Sequence, residues 1–313
     1  MTKLKEIPLI CPCELKKNLT KKDSYYLCNH IDCEHNTYQN KFPIYNNKPI
    51  IISEIRTDTI CKIENGKTYV NRSLSKFAKL KKFLKGVNDI TENNCDMFIK
   101  EIIKRSKNPK ILIIGGGEQG IGAEKIYSNE SFEIHSIDVY ASNYVDVICD
   151  AHYLPLRDNF YDGVWIQAVL EHVVEPNQVV KEIHRVLKTN GLVYAETPFM
   201  QPVHEGAYDF TRYTVTGHRY LFKNFSLLDM GGFDGPEKFF ALSFRYLIWS
   251  ITRSRIIATL FGVMLHILLR PLKFLTSKAT LNDASSAVYF FGKKDNSVKI
   301  KHKDLVKLYK GIM

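Results

Sequence analysis

The pattern of apolar and polar positions changes at about Lys110 and divides the chain into three regions. Residues 1–55 contain only short apolar runs, such as 50–52, and these predict small strands. Residues 56–109 carry apolar side chains at helical spacing and predict a helical connector. In residues 110–313, continuous apolar runs alternate with helical patterns, which is typical of a parallel sheet covered by helices.

The third region predicts a doubly wound, mostly parallel α/β sheet of seven strands. We expect helices at residues 118–129 and 177–187, and strands at 111–114, 132–138, 145–149, 163–167, 192–197, 225–230 and 287–292. A basic, apolar helical insert at 236–285 separates the last two strands.

The insert contains two strongly apolar runs, 240–249 and 256–269, with basic residues at their edges. The longer run has fourteen residues, whereas a helix needs about twenty to span a bilayer. Pro271 interrupts any continuation of that helix. Two alternatives stay open, since the helices could pack on the sheet or lie in a membrane interface. A full span is less favoured.

The charge of the chain is concentrated near its C-terminus. The net charge is +11, and from Arg245 onward 13 Lys and Arg stand against 3 Asp and Glu. A localised basic surface indicates an anionic partner, either a membrane or a nucleic acid. The first ten residues lack the apolar core of a signal peptide. We therefore expect a cytoplasmic protein whose seven cysteines are metal ligands or buried thiols.

A glycine-rich turn follows the first predicted strand of the α/β region. Residues 115–120 read G-G-G-E-Q-G, which contains the spacing G-x-G-x-x-G, and Asp138 ends the next strand. Glycine allows a close backbone approach to a ligand, and an acidic group at that strand end can accept hydrogen bonds from ribose hydroxyls. This motif alone fits NAD as well as S-adenosylmethionine.

Four further motifs narrow the choice. They are C-D-A-x-x-L-P-L at 149–156, F-Y-D-G-V-W at 160–165, Q-A-V-L-E-H-V at 167–173 and E-I-x-R-V-L-K-x-x-G at 182–191. With these motifs in this order, the sequence resembles class I S-adenosylmethionine-dependent methyltransferases over about residues 110–233 and again at the last strand. The resemblance implies a Rossmann-like fold with S-adenosyl-L-methionine as cofactor.

The resemblance also implies roles for individual cofactor-binding residues. Gly115, Gly117 and Gly120 would line the methionine and ribose side. Asp138 would hold the ribose hydroxyls and Val139 would pack on adenine. Asp150 would accept a hydrogen bond from the adenine amino group, with the Ala151 backbone beside it. Gln167 would lie near the methionine portion. Ile113 departs from the family, which often has an acidic residue there. The alternative for both aspartates is ordinary strand-end capping.

The segment after the fifth predicted strand, 197–214, faces the same edge of the sheet. It resembles a subgroup with the text "P....H..P.D..R.T..G...L", often met among bacterial surface-glycan methyltransferases. His204 is the candidate general base, Asp209 would orient it, and Arg212 would hold an anionic substrate group. Alternatively the loop is a structural lid, and we interpret His172 as structural.

Two cysteine pairs stand near the N-terminus. Cys11 and Cys13 form one pair, Cys28 and Cys33 the other, and four thiolates suit structural Zn²⁺. The surrounding text resembles small zinc-ribbon modules, although the C-x-C and C-x4-C spacings depart from theirs. Unligated buried thiols are the alternative.

These features together predict a methyltransferase that acts on a sugar hydroxyl or related group in bacterial surface-glycan synthesis. Its acceptor would be a glycan or lipid-linked glycan, and the insert would attach the protein to an anionic membrane surface on the inner face of the cytoplasmic membrane. An RNA methyltransferase and a non-catalytic cofactor-fold scaffold are alternatives. Nucleic acid is disfavoured because Gln167-Ala168-Val169-Leu170 is not the Asn/Asp-Pro-Pro-aromatic run used on base amino groups.

Overall fold

The computed structural model describes residues 6–35, 41–53, 55–56, 89–298 and 300–312. Most of the predicted connector, 57–88 with Cys61, lies outside the described residues. The described α-helices are α1 (Asp89–Ile103), α2 (Glu124–Tyr127), α3 (Pro176–Val186), α4 (Val215–Leu221), α5 (Pro236–Thr252), α6 (Arg255–Leu269), α7 (Lys278–Asp283) and α8 (His302–Leu305).

The described strands form one mixed sheet of eleven strands rather than the predicted seven. They are β1 (Leu19–Lys21), β2 (Tyr25–Cys28), β3 (Phe42–Tyr45), β4 (Lys48–Ile51), β5 (Lys110–Ile114), β6 (Glu133–Asp138), β7 (Val147–Cys149), β8 (Tyr161–Gln167), β9 (Leu187–Pro198), β10 (Phe225–Phe233) and β11 (Ala287–Lys294). The order across the sheet is β1-β2-β3-β4-β7-β6-β5-β8-β9-β11-β10.

Strands β5 to β11 correspond to the seven predicted strands, and the N-terminal region adds the other four. The sheet is extended because β4 pairs in parallel with β7, with Ile50 opposite Ile148 and Ile51 opposite Cys149. Strands β4 to β9 run parallel, whereas β11 is antiparallel to both β9 and β10. The seven-strand expectation was wrong because it treated residues 1–55 as a separate module.

The central strand β5 is buried on both faces, which explains its unbroken apolar sequence. Leu112 and Ile114 belong to one core cluster together with α3 side chains such as Ile183. Ile111 and Ile113 belong to the opposite cluster, which includes Phe98 of α1. The parallel strands β5 to β8 therefore end at one edge of a helix-covered sheet, where ligands of open α/β sheets bind.

The helix predicted at 118–129 is much shorter than expected. Only Glu124–Tyr127 is α-helical, and residues 115–123 form an extended turn. Gly122 has a positive φ of 86°, and a Cβ there would lie 3.0 Å from Thr91 Cγ2. This glycine allows the turn to pack closely on the start of α1 instead of continuing as helix.

The insert consists of α5, α6, a 3-10 turn at Arg270–Leu275 and α7. Helix α6 ends before Pro271, as predicted. The α5–α6 pair packs through small residues, since Ala241, Ala258 and Gly262 are buried while long apolar side chains stay exposed. Within the described residues, Arg255–Leu275 is long and apolar enough to cross a membrane by length and composition, and 11% of it is buried.

Candidate functional site

The turn after β5 brings backbone rather than side chains to the carboxyl edge of the sheet. Gly115 has a φ of 76°, and the N–H groups of Gly115 and Gly116 both donate to the Ile137 carbonyl at 3.0 Å. A Cβ on Gly115 would lie 2.1 Å from Val169 Cγ2. Glycine is therefore required here both by the backbone conformation and by the close approach of Val169.

The other two glycines of the motif are also confined by neighbours. A Cβ on Gly117 would lie 1.9 Å from the Tyr140 hydroxyl, and one on Gly120 would lie 2.0 Å from Gln167 Oε1. Gln167 is itself fixed, because its side-chain amide donates to the Ile121 carbonyl at 3.1 Å. A side chain at either glycine would therefore displace Tyr140 or Gln167.

Asp138 ends β6 with its carboxylate tied to this turn. Oδ2 accepts the Gly117 N–H at 2.8 Å, and Oδ1 accepts the Val139 N–H at 2.7 Å. These bonds are the strand-end capping that the sequence left open as an alternative. Asp138 also lines the cavity described below, and each carboxylate oxygen can accept more than one hydrogen bond.

Asp150 follows β7 and caps a short 3-10 turn at Ala151–Tyr153. Its Oδ1 accepts the His152 N–H at 2.9 Å and lies 2.6 Å from His152 Nδ1. His152 Nε2 accepts the Glu175 N–H at 3.1 Å, so its proton is on Nδ1 and points at Asp150. This carboxylate is therefore held in place by its own turn.

A cavity of about 410 Å³ lies at the carboxyl ends of β5 to β8. This volume is within the range of small-molecule sites, about 300–1,000 Å³. Its lining includes Gly115, Gly120, Asp138, Val139, Asp150, Ala151, Gln167 and His204. The structure thus brings together all but one of the predicted cofactor-binding residues, and the remaining one, Gly117, is buried behind Asp138.

His204 reaches the cavity from the loop after β9. Its N–H donates to Asp209 Oδ2 at 2.8 Å, and its Nδ1 lies 3.5 Å from the same oxygen. Arg212 donates two guanidinium hydrogen bonds to the Asp209 carboxylate. Although burial disfavours the charged form, the bonds from Arg212 and His204 hold the pKa of Asp209 below its usual value. Asp209 is therefore an ionised group beside the imidazole.

Arg212 and Asp209 are not among the residues that line the cavity. The terminal nitrogens of Arg212 bind the Asp209 carboxylate, and the role expected for Arg212, to hold an anionic substrate group, stays a prediction. Its place in the structure is to hold the carboxylate that faces His204.

Glu171 and His172 lie at the cavity or directly beside it, and the sequence analysis assigned neither of them a functional role. His172 lines the cavity, and its Nδ1 lies 2.7 Å from the Tyr208 carbonyl. The Glu171 side chain is 0% exposed, and its Oε1 lies 3.6 Å from His172 Nε2 and 3.5 Å from His204 Nε2. The available signal was the adjacent Glu-His pair directly after β8, which we had interpreted as structural.

Glu196 is a second carboxyl that the sequence did not single out. It is opposite Gln167 in the register of β8 and β9, and Oε1 accepts hydroxyl hydrogen bonds from Thr91 at 2.6 Å and Tyr194 at 2.5 Å. Burial raises the pKa of Glu196 to about 7, and the hydrogen bonds from Thr91 and Tyr194 offset that effect only in part. The protein therefore holds a carboxyl beside Gln167 that titrates near neutral pH.

The four N-terminal cysteines lie together and are all buried. Their sulfur atoms are all within 4.8 Å of one another, and the Cys11 and Cys33 sulfurs are 3.6 Å apart. A tetrahedral zinc ion with bonds of about 2.3 Å places its sulfur ligands about 3.8 Å apart. His35 is adjacent, with Nδ1 3.4 Å from Cys11 Sγ. The chemistry and spacing of this donor set fit zinc.

Residues 125–195 match a family model described as a methyltransferase domain. This segment contains Asp138, Asp150 and Gln167 but not the glycine turn. A search of curated proteins gave no match.

Several solved structures resemble the chain at low identity. The [4+2]-cyclase SpnF is 17% identical with a TM-score of 0.40, covering 65% of this chain and 81% of that one. Phosphoethanolamine N-methyltransferase 2 of Haemonchus contortus, in complex with S-adenosyl-L-methionine, is 16% identical with a TM-score of 0.40, covering 64% and 52%. The MccD protein is 15% identical with a TM-score of 0.42, covering 67% and 99%. Similarities at this level do not identify a substrate.

Proposed function

We propose that the protein is a methyltransferase that uses S-adenosyl-L-methionine. One observation carries the proposal: the segment that matches a methyltransferase domain model contributes Asp138, Asp150 and Gln167 to one cavity, which the glycine turn borders. S-adenosyl-L-methionine supplies an electrophilic methyl group on a sulfonium. The protein must then bind the cofactor, position the nucleophile and handle its proton.

The chain's own groups fit the cofactor in a specific way. Gly115 and Gly120 line the cavity and would contact the methionine and ribose portions. Asp138 would accept the ribose hydroxyls while its backbone bonds to Gly117 and Val139 keep it oriented. Asp150, held by His152, would accept the adenine amino group.

The acceptor is proposed to be a sugar hydroxyl or related group of a glycan or lipid-linked glycan in bacterial surface-glycan synthesis. Support comes from the loop that carries His204, which resembles the surface-glycan subgroup and borders the cavity. His204 would take the hydroxyl proton, with ionised Asp209 stabilising the imidazolium that forms. Arg212 binds the Asp209 carboxylate and holds it beside His204.

Attachment to the inner face of the cytoplasmic membrane is proposed for the insert. Exposed apolar side chains follow one face of α6, with Ile256, Leu260 and Met264 at 76%, 65% and 59% exposure. Exposed arginines flank them, including Arg253 and Arg255. An amphipathic surface of this kind binds anionic membranes through buried apolar area and charge together.

A structural zinc ion is proposed for the cysteine cluster, held by Cys11, Cys13, Cys28 and Cys33. It would stabilise strands β1 to β4, which extend the main sheet.

The methyl acceptor is tested by transfer of labelled methyl groups. The full chain would be incubated with labelled S-adenosyl-L-methionine and separated bacterial lipid, glycan and RNA fractions. We expect label in the glycan or lipid-linked glycan fraction, and loss of that label with Asp138→Ala. Label in RNA alone would contradict the acceptor class, and no label in any fraction would contradict the activity.

A further inference from the structure

Two imidazoles that line the cavity, those of His172 and His204, lie beside the buried carboxylate of Glu171. Glu171, His172 and His204 each offer one donor atom, and the three atoms lie within 4.8 Å of one another. Glu171 and His172 lie in a 3-10 turn, Leu170–His172, that follows β8, whereas His204 lies in the loop after β9. The Phe210 N–H donates to the Glu171 carbonyl at 2.8 Å and holds the loop against that turn.

The Glu171 carboxylate is buried without compensation. Its side chain is 0% exposed, and among the described residues neither Oε1 nor Oε2 has a hydrogen-bond partner. Leaving a buried carboxylate unpaired costs several kcal/mol in effective desolvation. A group of this kind is stable when it is paired with a cation, and the nearest donor atoms are the two imidazole Nε2 atoms.

In both histidines, Nε2 is the nitrogen whose lone pair can bind a metal ion. His172 Nδ1 lies 2.7 Å from the Tyr208 carbonyl, which places the proton on Nδ1 and leaves Nε2 unprotonated. His204 Nδ1 makes no hydrogen bond among the described residues, but it lies 3.5 Å from the Asp209 carboxylate, whose negative charge favours a proton on Nδ1 there as well. A backbone carbonyl or carboxylate on the far nitrogen is the arrangement that orients metal-binding histidines.

The spacing of the donor atoms fits a metal ion. Glu171 Oε1 lies 3.6 Å from His172 Nε2 and 3.5 Å from His204 Nε2. A tetrahedral ion with bonds of about 2.1 Å places its ligands about 3.4 Å apart. We propose that Glu171, His172 and His204 bind a divalent metal ion of the zinc class, with its fourth position open to the cavity.

Two imidazoles and one carboxylate favour zinc-class ions over Mg²⁺ or Ca²⁺, which prefer oxygen ligands. Three protein ligands with one open position are typical of sites that bind a water or substrate oxygen. The proposal deepens the proposed methyltransferase function, because the ion would face the same cavity as the acceptor. With the ion bound, His204 Nε2 is a metal ligand, so that the proton-accepting role proposed for His204 applies to the metal-free protein.

The test measures zinc content and needs no methyl transfer. Full-length protein would be stripped with chelator, loaded with Zn²⁺, dialysed and analysed for zinc per chain. Wild type should hold about one zinc more than Glu171→Gln, and the exposed Glu175→Gln should match wild type. Zinc bound by the cysteine cluster is common to all three proteins and cancels in the comparison. Equal zinc content in wild type and Glu171→Gln would overturn the proposal.

Thermal unfolding separates a metal ligand from a structural carboxylate. In chelator, Glu171→Gln should melt at or above the wild-type temperature, because it replaces a buried carboxyl group whose oxygens have no hydrogen-bond partner among the described residues. Adding Zn²⁺ should raise the wild-type melting temperature by more than that of the variant. A variant that is equally destabilised with and without zinc would make Glu171 structural and contradict the proposal.

Three further variants keep the test decisive. If Glu171→Gln fails to fold, His204→Ala is the substitute, because the His204 side chain is 39% exposed and its removal should not prevent folding. His204→Ala should lose the same zinc ion, and retained zinc would overturn the proposal. Asp209→Asn should weaken zinc binding by about 10–100-fold without removing the site, as expected for a positioning residue. Asp209→Glu should recover part of the affinity. Methyl transfer by a protein that does not bind this zinc ion would support the methyltransferase proposal and contradict the metal site. Binding of this zinc ion without methyl transfer would support the metal site and contradict the methyltransferase proposal.

Discussion

Replacing Glu196 with Gln should change how the stability of the protein depends on pH. Burial raises the pKa of Glu196 from 4.5 to about 7 in the folded protein. Below pH 4.5 the carboxyl is protonated in both states, so that it causes no penalty. Between 4.5 and about 7 the unfolded chain releases the proton while the folded protein retains it. The stability of the folded state therefore falls as pH rises through this window.

The expected size of the effect follows from the difference between the two pKa values. At 1.36 kcal/mol for each pH unit, ionisation of Glu196 costs about 3 kcal/mol above pH 7. Glutamine has nearly the same shape and does not ionise, and its carbonyl can still accept from Thr91 and Tyr194. Glu196→Gln should therefore match wild type at pH 4 and be about 3 kcal/mol more stable at pH 8.

Urea denaturation at pH 4, 6 and 8 gives the free energy of unfolding for both proteins. Glu130→Gln is a matched control, because it makes the same substitution at an exposed glutamate. A constant difference between Glu196→Gln and wild type across this pH range would refute the argument. Such a result would mean that Glu196 ionises at its ordinary pH inside the fold.

Three further predictions address the other sites. Protein purified without chelator should contain cysteine-bound zinc that Cys28→Ser loses, as elemental analysis would show; equal metal in both would leave the cluster as thiols. His204→Ala should lower kcat by about 10²–10⁴ with nearly unchanged cofactor affinity, and activity within about threefold of wild type would exclude a proton-transfer or metal role. The protein should sediment with anionic vesicles at low salt and be partly released by high salt, since each basic group contributes about 1 kcal/mol near the surface. Deletion of residues 240–278 should abolish that binding, and an intact protein that ignores vesicles would contradict the membrane proposal.

Local pattern was sufficient to predict the strands of the central sheet. Strand β5 is buried on both faces and reads as one apolar run, and the glycines after it are required by Val169, Tyr140 and Gln167. The helix at 118–129 was predicted too long because the close contact of Gly122 with Thr91 is a tertiary constraint. Its effect on the turn cannot be seen in the periodicity of the segment itself.

Contacts between distant segments account for the structural features that the sequence analysis did not predict. The pairing of β4 with β7 joins residues 50–51 to 148–149 and enlarges the sheet to eleven strands. Glu171 and His204 come together where the loop after β9 bonds back, through the Phe210 N–H, to the turn that follows β8. A Glu-His pair in a strand-to-helix junction has an ordinary structural interpretation until the second histidine is placed beside it.

Calorimetric titration with S-adenosyl-L-methionine and with NAD tests the central claim most directly. The account predicts that wild type binds S-adenosyl-L-methionine and that Asp138→Ala weakens this binding more than tenfold, about 1.4 kcal/mol, because the ribose hydroxyls lose a charged acceptor. Asp138→Asn, which keeps one carbonyl acceptor, should fall between the two. Tight binding of NAD with no binding of S-adenosyl-L-methionine would contradict the assignment.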